Sequence, residues 1–232
     1  MKQSVGFIIV AYNPNKESLK KLQSSLARKP VTVVDNGKHN LGFGGGANVG
    51  IRQAVGQGAE WIVVLNQDTE MTQEATNALC RRLEQLPPCI AGPFTGSLDL
   101  KRWTTILGTG DDYVSGSCMA IHKRVIEKIG YFYEPYFMYY EDADLCVRAK
   151  NAGFPLKKLN GAGIEHSDRP VWGKGSRIHE YYLARNHLWF VWRLAPWNVK
   201  LYELIRLPKT LLEFLFIPIL RWFATRRVVR AA

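Results

Sequence analysis

The sequence predicts an α/β domain with a mostly parallel sheet and helices on both faces, followed by an amphipathic helical tail. Three observations carry that expectation. From Val5 to Leu86, short apolar, β-branched runs alternate with helical patterns, the β-α-β-α-β-α order of a parallel sheet. Polar residues stand just past each strand run, where such sheets place ligands. Beyond Trp197 the composition turns apolar and basic. With 232 residues, 47% hydrophobic and 22% charged, the chain can build one large core or at most two small ones.

The elements follow in order. Val5–Ala11 is a continuous apolar run, the mark of a strand covered on both faces. Lys2 precedes it, but the run is short and closes on Tyr12-Asn13-Pro14 without a small-residue cleavage site. It reads as a buried strand, not a secretory leader. Lys16–Arg28 carries Leu19, Leu22 and Leu26 on one helical side. Val31–Val34 is a second strand, ending in Asp35-Asn36-Gly37, and a glycine-rich loop from Gly42 to Ala47 then opens a helix through about Gln57. Trp61–Leu65 is the third strand, ending in Asn66-Gln67-Asp68; a helix from Thr72 to Leu86 is stopped by Pro87-Pro88. This topology gathers Tyr12, Asp35 and Asp68 on one rim.

From Cys89 to Asp112 the pattern is weak and predicts no element. Tyr113–Ile121, with Ser115-Gly116-Ser117 inside it, reads as a strand, His122–Gly130 as a short helix and Leu156–Leu159 as a strand. Asn160–Ser176 is a polar, glycine-rich loop of functional length, and Arg177–Leu194 is a helix. Cys80, Cys89, Cys118 and Cys146 form no Cys-x-x-Cys pair and read as reduced thiols of a cytosolic protein.

The chemistry concentrates between Tyr136 and Gly153. An aromatic run leads into Glu141, Asp142 and Asp144, and a helical pattern follows. At about 100° per residue, Asp142 shares a side with Leu145, Cys146 and Ala149, while Asp144 and Arg148 pair on the opposite, solvent-facing side. Asp142 is thus an inward carboxylate in a first helical turn, where the helix dipole favours its ionised form. It reads equally as a general base or as an N-terminal cap.

Two other stretches carry paired readings. Gly42 to Ala47 fits G-x-G-x-x-A, with Asp68 following as a ribose-binding acid would, but it comes after the second strand instead of the first. Its glycines either approach a phosphate with backbone N–H groups or simply supply positive φ in a tight loop. Asn66-Gln67-Asp68 offers oxygen ligands to Mg²⁺ or Mn²⁺, which takes its remaining ligands from phosphate and water; the other reading is a turn.

These pieces together resemble the family 2 inverting glycosyltransferases with a GT-A type, Rossmann-like fold, especially bacterial rhamnosyltransferases. The resemblance runs through Val10-Ala11-Tyr12-Asn13, Val34-Asp35-Asn36, Asn40 to Ile51, Leu65 to Asp68, Val114 to Ser117, Gly130 to Phe132, Phe137 to Leu145, Arg148 and Gly153. It continues at His166, Ser176 and Arg185-Asn186 and covers most of residues 5–190. It implies Asp142 as the catalytic base. Ala11, Tyr12, Asp35, Asn40, Gly42, Gln67, Asp68 and Arg185 would bind the donor, and Ser115, Gly116 and Glu141 the acceptor. Asp68, with His166, would hold the divalent metal, Mg²⁺ or Mn²⁺; from the residues alone, His166 reads equally as a structural hydrogen-bonding group. The sequence departs from the family pattern twice: Asn66-Gln67-Asp68 replaces Asp-x-Asp, and Tyr131-Phe132-Tyr133-Glu134 replaces Gly-Phe-Asp-Glu.

The donor implied by the resemblance is dTDP-L-rhamnose, with other UDP- or GDP-sugars as alternatives. The implied acceptor is a lipid-linked saccharide of cell-surface polysaccharide synthesis. Residues 1–194 are read as the glycosyltransferase domain and 195–232 as a basic, membrane-associating helical tail. The net charge of +11 points to an anionic partner, and residues 195–232 hold seven basic residues against two acidic ones. Glu213, Pro218 and Arg221 interrupt the apolar run short of the ~20 residues a spanning helix needs. Pro208 and Pro218 would divide the tail into short amphipathic pieces lying on an anionic membrane. The expected place is cytoplasmic, peripheral on the inner face of a bacterial membrane. A nucleic-acid-binding module would need that charge in a groove with interleaved aromatics, not in an apolar tail. A dinucleotide-dependent oxidoreductase would need the glycine loop after the first strand.

Overall fold

The structure is a computed structural model and describes residues 4–161, 163–166 and 176–212. The chain divides into two compact units, residues 1–97 with 105–167, and residues 98–104 with 168–232.

The first unit begins with β1 (Val5–Ala11), α1 (Lys16–Ser25), β2 (Val31–Asp35), α2 (Gly42–Gly56) and β3 (Trp61–Asn66). β4 (Thr69–Met71), α3 (Gln73–Leu83), β5 (Ile90–Gly92), β6 (Thr95–Leu98), β7 (Thr105–Leu107) and β8 (Tyr113–Val114) come next. The unit closes with β9 (Cys118–His122), α4 (Lys123–Ile129), a 3₁₀ turn (Glu134–Tyr136), α5 (Glu141–Asn151), β10 (Leu156–Lys158) and β11 (Ile164–His166). The central sheet runs β10-β5-β9-β3-β1-β2. β1 pairs in parallel with β2 and β3, and β10 with β5, while β9 runs antiparallel between β3 and β5. All of β1 is buried, as its uninterrupted apolar run requires. One face packs Phe7, Ile9, Val63 and Leu65 with Leu22 of α1, Leu26 just after it, and Leu79 and Leu83 of α3. On the other face α2 lies directly on β1.

Several expectations change. The glycine run is not a loop: it forms the opening turns of α2. A Cβ on Gly46 would come 2.8 Å from Val10 Cγ1, and one on Gly50 would overlap Ile8. Small residues here let a helix press onto the sheet, so the glycines answer to packing. Within the predicted loop after Asn160, β11 pairs antiparallel with β4, His166 opposite Thr69. The predicted strand Tyr113–Ile121 breaks at Ser115-Gly116-Ser117 into β8 and β9. The Asp144–Arg148 pair is buried instead of solvent-facing. Asp144 is 0% exposed, because Arg148 also donates to the carbonyls of Ile129 and Tyr131 and folds that segment over the helix.

The second unit holds α6 (Arg177–Leu194), capped by Ser176 Oγ accepting from His179 N, and α7 (Trp197–Leu211). Val191, Ala195 and Val199 form its small apolar cluster against Trp103. Pro208, expected to divide the tail, lies inside α7. Glu203 and Thr210, hydrogen-bonded to each other at 3.0 Å, hold the helix on both sides of it. The expectations for residues 213–232, Pro218 among them, lie outside the described residues.

Candidate active site

The carboxyl ends of β1, β2 and β3 make one rim. The register sets Ala11 opposite Asp35 and Val10 opposite Asn66. Gln67 clasps the neighbouring strand end: Tyr12 N donates to its Oε1 at 2.6 Å, and its Nε2 donates to the Tyr12 carbonyl at 3.1 Å. Both ends of that amide serve to tie β3 to β1. Asp35 is exposed, and its Oδ1 accepts from Gly37 N at 2.9 Å.

Asn36 is a positioning residue that the sequence reading did not single out. It is buried, its Nδ2 donates to the Gly42 carbonyl at 2.8 Å, and its Oδ1 accepts from Leu41 N at 3.0 Å. Asn40 Oδ1 in turn accepts from Gly42 N at 3.0 Å. Gly42 has φ +72° and sits against the Phe137 backbone, whose carbonyl accepts from Phe43 N at 2.7 Å. The start of α2 is thereby fastened to the aromatic segment before α5. In that segment Phe137, Tyr139 and Tyr140 all have positive φ. Non-glycine residues in that region are strained, and such residues gather at functional sites. Their sequence signal is only an aromatic run.

Asp68 and His166 meet. Asp68 Oδ1 lies 3.2 Å from His166 Nε2, with Asn66 Nδ2 3.1 Å from the same ring nitrogen. Two ligands at right angles on one ion, each at ~2.1 Å, stand about 3 Å apart, so this pair fits a divalent cation. Among the described residues no group of three His, Cys, Asp or Glu side chains converges on a metal-binding point. The remaining ligands would then be substrate oxygens and water, as Mg²⁺-type sites use.

Asp142 occupies the first turn of α5, whose N-cap is Tyr140, with no side-chain cap bond. Its Oδ2 accepts from Gly116 N at 3.0 Å and its Oδ1 from Ala143 N at 2.8 Å. Burial raises its pKa above the usual aspartate range, against the opposing pull of those N–H groups. The break between β8 and β9 is what turns the Gly116 N–H toward it. Ser115 and Ser117 lie beside it, their hydroxyls 3.0 Å apart. The Ser117 carbonyl accepts from Asn66 N at 3.1 Å and from Thr69 Oγ1 at 2.8 Å. Short contacts therefore link Asp142, through Gly116 and Ser117, to Asn66 and the Asp68–His166 pair.

Glu141 is 6% exposed, and its buried Oε2 has no hydrogen-bond partner among the described residues. Burial first, and then the charge of Asp142, push its pKa up to about 8. Both effects favour its protonated form at neutral pH. Between the ordinary glutamate range and pH 8 the unfolded chain releases a proton that the folded chain keeps, so stability falls as pH rises. Glu141→Gln is expected to melt above wild type at pH 8, with the gap closing at pH 5. A gap that does not change with pH would show Glu141 to be ionised throughout.

Two places remain. Asn48 clamps the Tyr131-Phe132-Tyr133-Glu134 segment, its Oδ1 accepting from Phe132 N at 3.0 Å and its Nδ2 donating to the Phe132 carbonyl and Glu134 Oε1, both at 2.9 Å. Tyr133, where the resemblance expects an acid, packs edge-on against Tyr136. Arg185 belongs to the second unit, stacked on the rings of Tyr182 and Trp189 and hydrogen-bonded to Asn186.

Residues 7–144, more than half of the chain, match Glycosyl transferase family 2. The chain belongs to that family. Among family-level relatives it is 28% identical over 188 residues to the low-salt glycan biosynthesis hexosyltransferase Agl10 of Haloferax volcanii, covering 71% of this chain and 59% of that protein. It is 24% identical over 235 residues to the dTDP-rhamnosyl transferase RfbF of Shigella flexneri, covering 80% of this chain and 79% of that one. The family 2 fold also matches a solved mannosyltransferase, PcManGT from Pyrobaculum calidifontis in complex with GDP-Man and Mn²⁺. That match has a TM-score of 0.56 at 12% identity, over 87% of this chain and 68% of that chain. The GT-A arrangement expected of family 2 is the one observed.

Proposed function

We propose that this family 2 protein is an inverting glycosyltransferase that moves a sugar, L-rhamnose from dTDP-L-rhamnose, onto a lipid-linked saccharide in cell-surface polysaccharide synthesis. The observation that carries it is the rim on which contacts at Gly116, Ser117 and Asn66 join Asp142 to the Asp68–His166 pair.

The residues divide the work by position. Ala11, Tyr12 and Asp35, at the ends of β1 and β2, with Asn40 and Gly42 after β2, would bind the nucleotide. Asp68 and His166 would hold a divalent cation, which offsets the charge of a departing diphosphate. Asp142 takes the proton of the acceptor hydroxyl while that oxygen bonds to the anomeric carbon and the bond to the diphosphate breaks. One displacement inverts the centre. The Gly116 and Ala143 N–H groups keep the carboxylate aimed. Glu141, protonated, adds no second negative charge and has a proton to donate to the acceptor; Ser115 and Gly116 form the adjoining wall.

The dTDP-rhamnosyl function of the Shigella relative supports the donor. UDP- and GDP-sugars suit the same residues and form the second reading, favoured by the hexosyltransferase relative. A dinucleotide oxidoreductase is disfavoured by the opening of α2, where the glycines answer to packing against Val10 and Ile8. Among the described residues no helix is long and apolar enough to cross a membrane. The basic residues after 194 suit a peripheral place on the cytoplasmic face of the cell membrane.

Thermal melting with dTDP-, UDP- and GDP-sugars, each with and without Mn²⁺, tests this reading. The largest shift is expected with dTDP-L-rhamnose, increased by Mn²⁺. Asp68→Asn removes the Mn²⁺ increment and His166→Ala reduces it. A shift indifferent to metal in wild type would take Asp68 and His166 out of the metal role.

A further inference from the structure

Helix α7 is built inside out. At about 100° per residue, Val199, Glu203 and Thr210 share one side, and Trp197, Leu201, Leu204, Ile205 and Leu212 the other. Burial follows that division: Glu203 is 3% and Thr210 0% exposed, against 73% for Trp197 and 74% for Ile205. A helix on the surface of a soluble core shows the reverse.

The inward side is held by polar contacts. Glu203 Oε1 accepts from Arg102 Nε at 2.8 Å, and its Oε2 accepts from Thr210 Oγ1 at 3.0 Å and lies 3.4 Å from His187 Nε2. Arg102 also donates to Thr210 Oγ1 at 3.1 Å. Burial alone would raise the Glu203 pKa, but His187 and Arg102 overcome it and hold the group at about 2. Charge and hydrogen bonds, together with Val199, fix the helix, while its larger apolar residues Trp197, Leu201, Leu204 and Ile205 face outward. Trp189 and Trp192 on α6 of the same unit are exposed as well.

We infer that the outward face of α7 is a docking surface for an anionic lipid bilayer, with the helix lying in the plane of the interface. At ~1.5 Å per residue, α7 is about as long as a bilayer core is deep only if extended well beyond its 15 residues, so it suits lying on the membrane. Lys200 and Lys209 fall on the two edges of the apolar stripe, where their stems cover apolar surface and their ammonium groups reach headgroups. Past Leu212 the sequence keeps the same character: Leu, Phe, Ile and Trp with Arg221, Arg226, Arg227 and Arg230 against the single acid Glu213. That charge complements an anionic leaflet; a second copy of the chain would set like charges against each other. A lipid-linked acceptor gives the surface its purpose, and to that extent the inference rests on the proposed function; its test involves no sugar transfer.

The test is flotation of the full chain with vesicles of phosphatidylcholine mixed with phosphatidylglycerol, and of phosphatidylcholine alone. Wild type is expected to float with the anionic vesicles. Replacing both Trp197 and Ile205 by Ser lowers the bound fraction at least about tenfold, with the wild-type melting temperature kept. Lys200→Glu with Lys209→Glu loses binding to the anionic vesicles, as added salt does to wild type. Absence of wild-type flotation, or undiminished flotation of the double Ser variant, overturns the inference. So does a lipid-free dimer that those Ser substitutions dissociate, which makes the face a contact between copies. So does a marked fall in melting temperature in the double Ser variant, which makes it a seat for residues 213–232. Flotation as expected without any nucleotide-sugar shift sinks the proposed function and leaves the docking surface standing.

Discussion

Asp142→Asn is expected to lower sugar transfer by at least about 10²–10⁴-fold, with the melting shift caused by nucleoside diphosphate unchanged. Asparagine keeps the volume but has no basic oxygen; its one carbonyl oxygen can accept from either the Gly116 or the Ala143 N–H, and its NH₂, a donor, leaves the other without an acceptor. The Asp68–His166 contact does not include Asp142, so donor affinity survives. Release of nucleoside diphosphate, followed with acceptor present, separates the two effects. Near wild-type turnover would remove Asp142 from the mechanism. Because burial lifts the Asp142 pKa, the acid limb of kcat/KM in wild type should lie above the ordinary aspartate range. A limb at the ordinary value would place the base elsewhere.

Asp144→Ala is expected to destabilise the fold by about 3–5 kcal/mol, the cost of breaking a buried ion pair from one side. Asp144 Oδ1 accepts from Arg148 Nε at 2.6 Å, and its Oδ2 from the Tyr136 hydroxyl at 3.1 Å. The same guanidinium holds the carbonyls of Ile129 and Tyr131 at 2.7 and 2.9 Å. One carboxylate therefore joins α5 to the end of α4 and to the aromatic segment that packs on Gly42. Removing it leaves a largely buried guanidinium short of its counter-charge. Lys150→Ala is the control: its pair with Asp112 at 3.2 Å is about half exposed and is worth under about 1 kcal/mol. Urea midpoints that fall equally in the two variants would contradict the buried pair.

The sequence reading and the structure part company where long-range packing decides. β1, β2 and β3 and the helices α1 to α3 were legible because their apolar runs and helical periods are local. β4 to β7 and β11 were not, since such short strands are defined by the partners they find. The glycine run suggests a loop, phosphate-binding or merely tight, because composition does not distinguish a glycine that turns the chain from one that admits a neighbouring strand. Asp144 and Arg148 looked solvated because helical periodicity names opposite sides without saying what covers each. Asp142, Asp68 and His166 were legible as residue types in suggestive settings; their contacts were not.

The sequence alone determined the alternation of β1 to β3 with α1 to α3, the strand ends where polar side chains collect, and membership in a glycosyltransferase family, since these depend on local pattern and motif. Only the tertiary structure decided that Asp68 meets His166, that the Gly116 N–H turns onto Asp142, that burial lifts the Glu141 pKa, and that α7 wears its larger apolar side chains outward. The reason is common to all four. Distance, burial and dielectric are properties of groups brought together from far apart in the chain, and a linear pattern specifies them only through the fold it encodes.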